Sequence, residues 1–197
     1  MRTSLRHLAR DHRGATIIEF AFVAPVMVLL LMGLCDLTYQ SYVQSILTGA
    51  MQKAGRDSTI QGSTAKTATL DAAVMTAMRR VAKDATWTST RKSYAQFSNI
   101  KPEVFQDNNS NGTYDQPSEC FTDINGNNLW DQDPGLDGQG GANDVVLYSI
   151  RVSYPRLFPM AGLMGWTPTQ TIAASTILKN QPYANQSTYT AKQVCPT

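Results

Sequence analysis

The chain is poor in histidine: among its 197 residues it has only His7 and His12, and both lie in a basic N-terminal segment. The rest of the chain therefore has no imidazole for acid–base catalysis, for a nucleophilic Ser/His or Cys/His pair, or for a zinc site. No glycine-rich phosphate loop of the Walker or dinucleotide type is present. A net charge of +2 gives no reason to expect a nucleic-acid partner. These absences weigh against most enzyme classes, and we predict a protein without catalysis of its own.

Basic residues are also absent between Pro102 and Asp144. The acidic residues of this stretch are Glu103, Asp107, Asp115, Glu119, Asp123, Asp131, Asp133, Asp137 and Asp144. The first thirteen residues have the opposite bias, with four arginines against one aspartate. Because the two charged regions are separated in this way, we predict that they lie on opposite sides of a membrane.

An uncharged, apolar run of sixteen residues extends from Phe20 to Cys35. At about 1.5 Å per residue it covers ~24 Å, and with its flanks it is long enough to insert into a bilayer core of ~30 Å. The arginines upstream predict a cytoplasmic N-terminus. A secretory or lipoprotein signal fits poorly, because no small-x-small motif follows the run and Leu34 precedes the cysteine. An ordinary uncleaved signal anchor remains an alternative.

Gly14 and Glu19 are the two unusual residues of this region. A carboxylate in lipid costs about 2.5–3.5 kcal/mol on insertion scales, so Glu19 is expected to be functional. Cleavage after Gly14 would make Ala15 the new N-terminus and Glu19 the fifth residue, followed by Phe20. The new α-amino group could then pair with the Glu19 carboxylate of a neighbouring subunit.

Residues 13–25, with Gly14, Glu19, Phe20 and Pro25 at their spacing, resemble the opening of TadE-like pseudopilins, minor components of the Flp/Tad pilus system. Residues 33–39 and 50–57 resemble the same module. The resemblance implies a structural protein of the bacterial inner membrane that primes or caps assembly of a pilus, with its head in the periplasm. The implied partners are the prepilin peptidase, the inner-membrane assembly platform, a sibling pseudopilin and the major pilin.

Three segments are predicted along the chain: a basic leader (1–14), a transmembrane and stalk helix (15–60), and an extracytoplasmic head (61–197). The apolar spacing predicts one continuous helix over residues 16–56. The head contains an acidic loop region, residues 103–144, that is dense in Asn, Asp and Gly. A loop this long in a small domain is usually functional or disordered, and its aromatic residues argue against disorder.

The head is expected to be α+β. We predict a helix over residues 65–84 with Asp71 on its solvated face, a short strand region within 87–105, and strands over 145–154 and 169–178. The last two strands should pair antiparallel against the helix. The predicted fold is therefore a long membrane-spanning helix followed by a pilin-like head with one packed helix and a small antiparallel sheet.

An apolar segment interrupted by glycine, residues 157–166, connects the last two strands. Its large apolar residues are Leu157, Phe158, Met160, Leu163, Met164 and Trp166. Two interpretations remain open: the segment covers the core of the head, or it lies on the membrane or on a partner protein.

Two segments of the acidic region share one spacing of oxygen-bearing residues. Places 1, 3, 5, 7 and 9 are Asp107, Asn109, Asn111, Thr113 and Asp115 in one, and Asp123, Asn125, Asn127, Leu129 and Asp131 in the other. Alternate oxygen ligands with a backbone carbonyl at place 7 are typical of EF-hand-type loops, so we expect Ca²⁺ binding. The glutamate at place 12 is missing, although Glu119, Asp133 or Asp137 could replace it. A chain of Asx turns without metal is the alternative.

The head also resembles one TadE-like subgroup over residues 119–131 and 138–148. Because the head is expected in an oxidising compartment, we predict a disulfide between Cys120 and Cys195, with Cys35 free in the membrane segment. A different class of function remains open: a calcium-dependent adhesin or sensor domain on an uncleaved signal anchor.

Overall fold

A computed structural model describes residues 15–59, 67–158, 162, 165–182, 186 and 190–195. Its elements, in chain order, are α1 (Ala15–Ser58), α2 (Thr67–Arg79), β1 (Thr86–Tyr94), a 3-10 turn (Phe97–Asn99), β2 (Phe121–Asp123), β3 (Leu136–Asp137), β4 (Val145–Pro155), β5 (Thr169–Lys179) and β6 (Lys192–Val194). This arrangement confirms the predicted α+β class with a long N-terminal helix. The predicted leader, Gly14 included, lies outside the described residues.

The described chain forms two compact units. The first contains α1 as far as Tyr42 and the connection Pro155–Gln170. The second contains the chain from Val43 to Tyr154 and the region from Thr171 onward. The apolar connection between β4 and β5 therefore groups with the N-terminal part of α1.

Helix α1 has 44 residues and continues through Pro25. It is long and apolar enough to cross a membrane, which is consistent with a single-pass anchor. In the first unit its large apolar side chains are exposed, with Phe20 at 67%. From Val43 onward one face of α1 enters the core of the second unit. Its buried residues there recur every three or four positions, at Val43, Leu47, Met51 and Ala54.

Four strands form the main sheet of the second unit, in the order β3-β1-β4-β5. Strands β4 and β5 are neighbours, as predicted, and β1 pairs antiparallel with β4 from Thr86↔Ser153 to Tyr94↔Val145. Alternate side chains of β4 are buried, at Val146, Tyr148, Ile150, Val152 and Tyr154. This period of two places one face of β4 in the core.

Helix α2 is shorter than predicted and ends at Arg79. Val74, Met75 and Met78 are buried, but so is Asp71, and the expectation of a solvated Asp71 was wrong. The carboxylate forms an ion pair with Arg91 of β1 and accepts hydrogen bonds from Ser89 and Tyr148. The positive charge and the hydrogen bonds supplied by β1 and β4 offset the desolvation cost of burying this carboxylate.

A second, two-stranded sheet pairs β2 antiparallel with β6. The predicted disulfide is present beside it: Cys120 precedes β2, Cys195 follows β6, and their Cα atoms are 4.2 Å apart. The bridge holds the C-terminal strand against the acidic region. Cys35 is free, as predicted.

Candidate functional site

The candidate assembly residues lie at the start of α1. Ala15 is the first residue of the helix, and Glu19 and Phe20 follow one turn later. Both of these side chains are exposed, in a stretch of the helix whose other large residues are apolar and exposed. Within the part of the chain that the structure describes, Glu19 has no ion-pair partner.

The predicted calcium ligands lie in two loops, the first loop (residues 107–115) and the second loop (residues 123–131). The aspartate at place 1 organises each loop by accepting backbone hydrogen bonds. Asp107 accepts the N–H groups of Asn111 at 3.1 Å and Gly112 at 2.8 Å. Asp123 accepts those of Gly126 at 2.6 Å and Asn128 at 2.9 Å. In both loops the first carboxylate therefore accepts the N–H of place 6, while its other donor is place 5 in the first loop and place 4 in the second loop.

Place 6 of each loop adopts a left-handed backbone conformation. The φ angle is 76° at Gly112 and 60° at Asn128, so the turn expected of an EF-hand-type loop is present in both. Place 4 is also left-handed, with φ of 59° at Ser110 and 84° at Gly126. Glycine and asparagine are among the residues that adopt this conformation most readily, which explains three of the four positions.

The asparagine amides close each loop onto the aspartate at place 9. In the first loop, Asn109 and Asn111 donate to Oδ2 of Asp115, each at 2.7 Å. In the second loop, the equivalent donors bond to Oδ2 of Asp131, at 2.8 Å from Asn125 and 2.7 Å from Asn127. The predicted ligand residues are thus brought together within each loop.

Two glutamates connect the loops reciprocally. Glu119, which precedes the second loop by four residues, accepts the backbone N–H groups of Asn108 at 2.9 Å and Asp115 at 3.0 Å in the first loop. Glu103, which precedes the first loop by four residues, accepts those of Ile124 at 2.7 Å and Asp131 at 3.0 Å in the second loop. Both glutamates are only 1% exposed. Each loop is therefore held by a carboxylate that belongs to the other repeat.

Aromatic rings fill the space between the loops. The place-8 residues, Tyr114 and Trp130, stack with ring centroids 5.3 Å apart and planes 20° apart. Phe105 contacts both of these rings edge-on at 5.9 Å, and Phe121 contacts Tyr114 at 5.5 Å. Phe105 and Phe121 also form an antiparallel β-bridge. These contacts make the two loops one packed pair.

Burial raises the pKa of the Glu103 carboxyl above its ordinary value. The two backbone N–H groups that it accepts act in the opposite direction, while the negative charges of Asp123 and Asp131 raise the pKa further.

The donor set fits calcium chemically, because carboxylate, amide and carbonyl oxygens are the ligands that this ion prefers. Among the described residues there is no group of three or more His, Cys, Asp or Glu side chains that could hold a metal. A calcium site in either loop would therefore need the side-chain oxygens of the asparagines as ligands, in addition to the carboxylates. The same oxygens already accept hydrogen bonds within each loop, as in the alternative of Asx turns.

The sequence analysis did not recognise that two glutamates and two phenylalanines belong to the repeat, and it considered Glu119 only as a possible metal ligand. The signal was available, because the spacing of sixteen residues that relates Asp107 to Asp123 also relates Glu103 to Glu119 and Phe105 to Phe121. The repeat therefore begins four residues before the first ligand position. The spacing does not show that Glu103 contacts the second loop and Glu119 contacts the first loop.

A comparison with protein families gives one match. The family model described as TadE-like protein matches residues 14–56, which include Gly14, Glu19 and nearly all of α1. Comparisons with curated proteins and with solved structures find no match. Over residues 14–56, the chain is therefore similar to the TadE-like proteins, as its motifs predicted.

Proposed function

We propose that this protein is a structural minor pseudopilin that primes or caps the assembly of a Tad-type pilus. One observation carries the proposal: the 44-residue helix Ala15–Ser58 exposes an apolar N-terminal half containing Glu19, and the TadE-like match covers nearly all of it. The coarser conclusion, a pilus-related protein with a single-pass anchor, is supported by that match and by the apolar helix. The role is one of packing, and no catalytic step is assigned to the chain.

The proposed mechanism depends on the pairing of charges in lipid. A lone Glu19 carboxylate in the bilayer would be costly, because the hydrocarbon core offers it neither water nor an opposite charge. After cleavage at Gly14, the α-amino group of Ala15 in one subunit would provide the cation for Glu19 of the next. The prepilin peptidase would act first, and the assembly platform, a sibling pseudopilin and the major pilin would then contact α1.

Replacement of Glu19 tests the proposal. We expect Glu19→Ala and Glu19→Gln to abolish assembly while leaving membrane insertion and cleavage intact, since the lost carboxylate is needed only for subunit pairing. Thr16→Ala, an exposed position one turn earlier, is the matched control. Piliation is counted by electron microscopy and mature protein by immunoblotting of membranes. Normal piliation in the Glu19→Ala strain would refute the proposed role.

The paired loops support a second property, and we propose that they bind calcium. Both loops place two aspartates and two asparagines at equivalent positions around a left-handed turn, with no basic residue between Pro102 and Asp144. Extracellular calcium modules bind in the range of about 10⁻⁴–10⁻³ M, which suits millimolar calcium outside the cytoplasm. Calcium binding is compatible with the pseudopilin and with an adhesin or sensor domain on an uncleaved anchor.

Thermal unfolding tests the calcium proposal. Calcium should raise the melting temperature of the full chain relative to chelator at matched ionic strength, because the ion binds only the folded loops. The gain should disappear in Asp107→Asn/Asp123→Asn and persist in Asp84→Asn, which changes an exposed carboxylate outside the acidic region. Identical melting curves in calcium and in chelator would leave the loops as Asx turns.

Cell fractionation separates the two candidate functions. A pseudopilin that enters the filament should be found, in its cleaved form, in sheared pilus fractions. An adhesin or sensor on an uncleaved anchor should remain with the inner membrane at its full precursor mass. The mass of the membrane-purified protein reports cleavage and the disulfide in one measurement.

A further inference from the structure

The connection between β4 and β5 is tied to α1 by an ion pair. Nη1 of Arg156 lies 2.5 Å from Oδ2 of Asp36, and both side chains are 14% exposed. The backbone N–H of Arg156 also donates to the carbonyl of Pro168 at 3.0 Å, and its Nε donates to the carbonyl of Thr167 at 3.1 Å. Arg156 therefore joins the start of the connection to its end by hydrogen bonds, and it joins the connection to α1 by the ion pair.

The position of Asp36 along α1 indicates where the apolar part of the helix ends. It is the first charged residue after the uncharged run from Phe20 to Cys35. If this run occupies the hydrocarbon core, Asp36 lies where the helix leaves it. The ion pair then places Arg156 at the boundary between hydrocarbon and head groups.

Two exposed apolar residues of the connection adjoin Arg156: Leu157 follows it in the sequence, and Trp166 contacts it in space. The guanidinium faces the ring of Trp166, with its Cζ atom 5.3 Å from the ring centroid. Trp166 is 49% exposed and Leu157 is 53% exposed. Tryptophan is enriched at membrane interfaces, where its ring meets both acyl chains and head groups. Leu157, Trp166 and the apolar side chains of α1 are thus all exposed within the same unit.

We propose that the described ends of the connection, residues 155–158 and 165–170, form a second membrane contact that inserts Leu157 and Trp166 into the head-group region where Asp36 leaves the bilayer. The occupant of this surface is lipid, and the inference rests on the proposed membrane-anchored function. Arg156 neutralises Asp36, whose unpaired carboxylate would be costly at this depth. A helix held at two points cannot rotate freely about its axis, so the contact fixes which face of α1 is offered to other subunits.

Spin labels on the full chain in phosphatidylcholine/phosphatidylglycerol vesicles test the inference. Single cysteines are placed in a Cys35→Ser background, in which the other two cysteines are in the disulfide. Leu157→Cys reports the connection and Val28→Cys reports the helix. Ile177→Cys, 47% exposed on β5, is the matched control for an exposed apolar residue. Collisions with oxygen and with a water-soluble nickel complex measure the depth of each label.

We expect the Leu157 label to be several-fold more accessible to oxygen than to nickel, and the Ile177 label to show the reverse. A deep Val28 label with a Leu157 label in water would overturn this inference and leave the anchor intact. A Val28 label in water would overturn the anchor as well. Equal protection at Leu157 and Ile177 would show nonspecific adsorption of the protein and would also overturn the proposed contact.

The ion pair is tested separately. Arg156→Ala should shift the Leu157 label toward water, while Arg151→Ala, which removes an exposed arginine of β4, should not. An unchanged Leu157 depth in Arg156→Ala would refute the role of Arg156 in holding the connection at the membrane.

Discussion

Asp71 and Arg91 form a buried ion pair beneath α2, with side chains 7% and 8% exposed. The hydroxyl of Tyr148 donates to Oδ1 of Asp71 at 2.5 Å, and the Arg91 guanidinium lies 3.9 Å from the centroid of the Tyr148 ring. Burial acts to raise the pKa of Asp71, but the hydrogen bonds from Arg91, Ser89 and Tyr148 outweigh it and leave the pKa below its ordinary value. Burial and the Asp71 charge raise the pKa of Tyr148, so its hydroxyl stays protonated.

Removal of one partner of this pair should be costly. We expect Asp71→Ala to lower the free energy of unfolding by about 3–5 kcal/mol, because it leaves the Arg91 charge buried without compensation. The double variant Asp71→Leu/Arg91→Met should be less destabilised than Asp71→Ala. Asp84→Ala, at an exposed position, is the control and should be nearly neutral. Urea unfolding measures all three variants, and a neutral Asp71→Ala would contradict the importance of the pair.

The lowered pKa of Asp71 predicts that the free energy of unfolding decreases in acid. Because the pKa of Asp71 is lower in the folded than in the unfolded state, its contribution to stability is fully present above the unfolded value of 3.8. That contribution is lost as the pH falls from this value through the lowered folded pKa. Urea midpoints measured from pH 5 to pH 2 should therefore fall less steeply in Asp71→Asn than in the wild type. Parallel slopes would contradict the lowered pKa.

At the scale of elements, the paired loops are a duplication in which each repeat stabilises the other. The antiparallel bridge between Phe105 and Phe121 brings the two repeats side by side with opposite directions. The glutamate that opens each repeat thereby reaches the backbone of the opposite loop. Neither loop is expected to keep its conformation without the other.

Hydrogen exchange should reveal this reciprocity. In Glu103→Ala we expect faster exchange at the amides of Ile124 and Asp131, which lose their acceptor. In Glu119→Ala the affected amides should be those of Asn108 and Asp115. Each variant serves as the control for the other, measured by amide-resolved exchange. Faster exchange confined to the loop that directly follows the substituted glutamate would contradict the crossed arrangement.

The disulfide also stabilises this region, because it links Cys120, which lies between the two loops, to Cys195 after β6. Cys120 and Cys195 are 75 residues apart in the sequence, and closure of such a loop is worth about 4–4.5 kcal/mol by loop-entropy estimates. We expect Cys120→Ser/Cys195→Ser to lower the free energy of unfolding by up to this amount and to increase protease cleavage after β5. Cys35→Ser is the control and should unfold like the wild type. Alkylation of both head cysteines in the non-reduced, denatured wild type would show that the bridge is absent.

At the scale of the whole molecule, the proposed maturation step decides which N-terminus enters an assembly. We predict cleavage between Gly14 and Ala15, because a glycine lacks the Cβ that would hinder a peptidase at the membrane face. Gly14→Leu should accumulate a precursor that is heavier by the leader, while Ser4→Leu, within the leader, should be processed normally. Mass spectrometry and N-terminal sequencing of the membrane protein distinguish the two forms. A wild-type protein that still begins with Met1 would refute the cleavage.

The sequence by itself determined the features that depend on local pattern. The apolar run after Phe20 and the spacing of three and four residues beyond it predicted α1, because a helix facing lipid and then a core needs those side chains in that order. The alternation after Val145 predicted β4, and the oxidising compartment predicted the pairing of Cys120 with Cys195. The similarity of the two loops follows from their shared residue spacing, which is a property of the sequence alone.

Only the tertiary structure decided which distant residues meet. Asp71 looked like a solvated charge until β1 and β4 placed Arg91 and Tyr148 beside it. Glu103 and Glu119 exchange loops because an antiparallel bridge aligns the repeats, and the partner of Asp36 lies 120 residues away in the chain. Hydrophobic periodicity records which face of an element is buried. It does not record which charge on another element lies opposite, because that contact depends on the packing of the two elements and leaves no periodic signal in either segment.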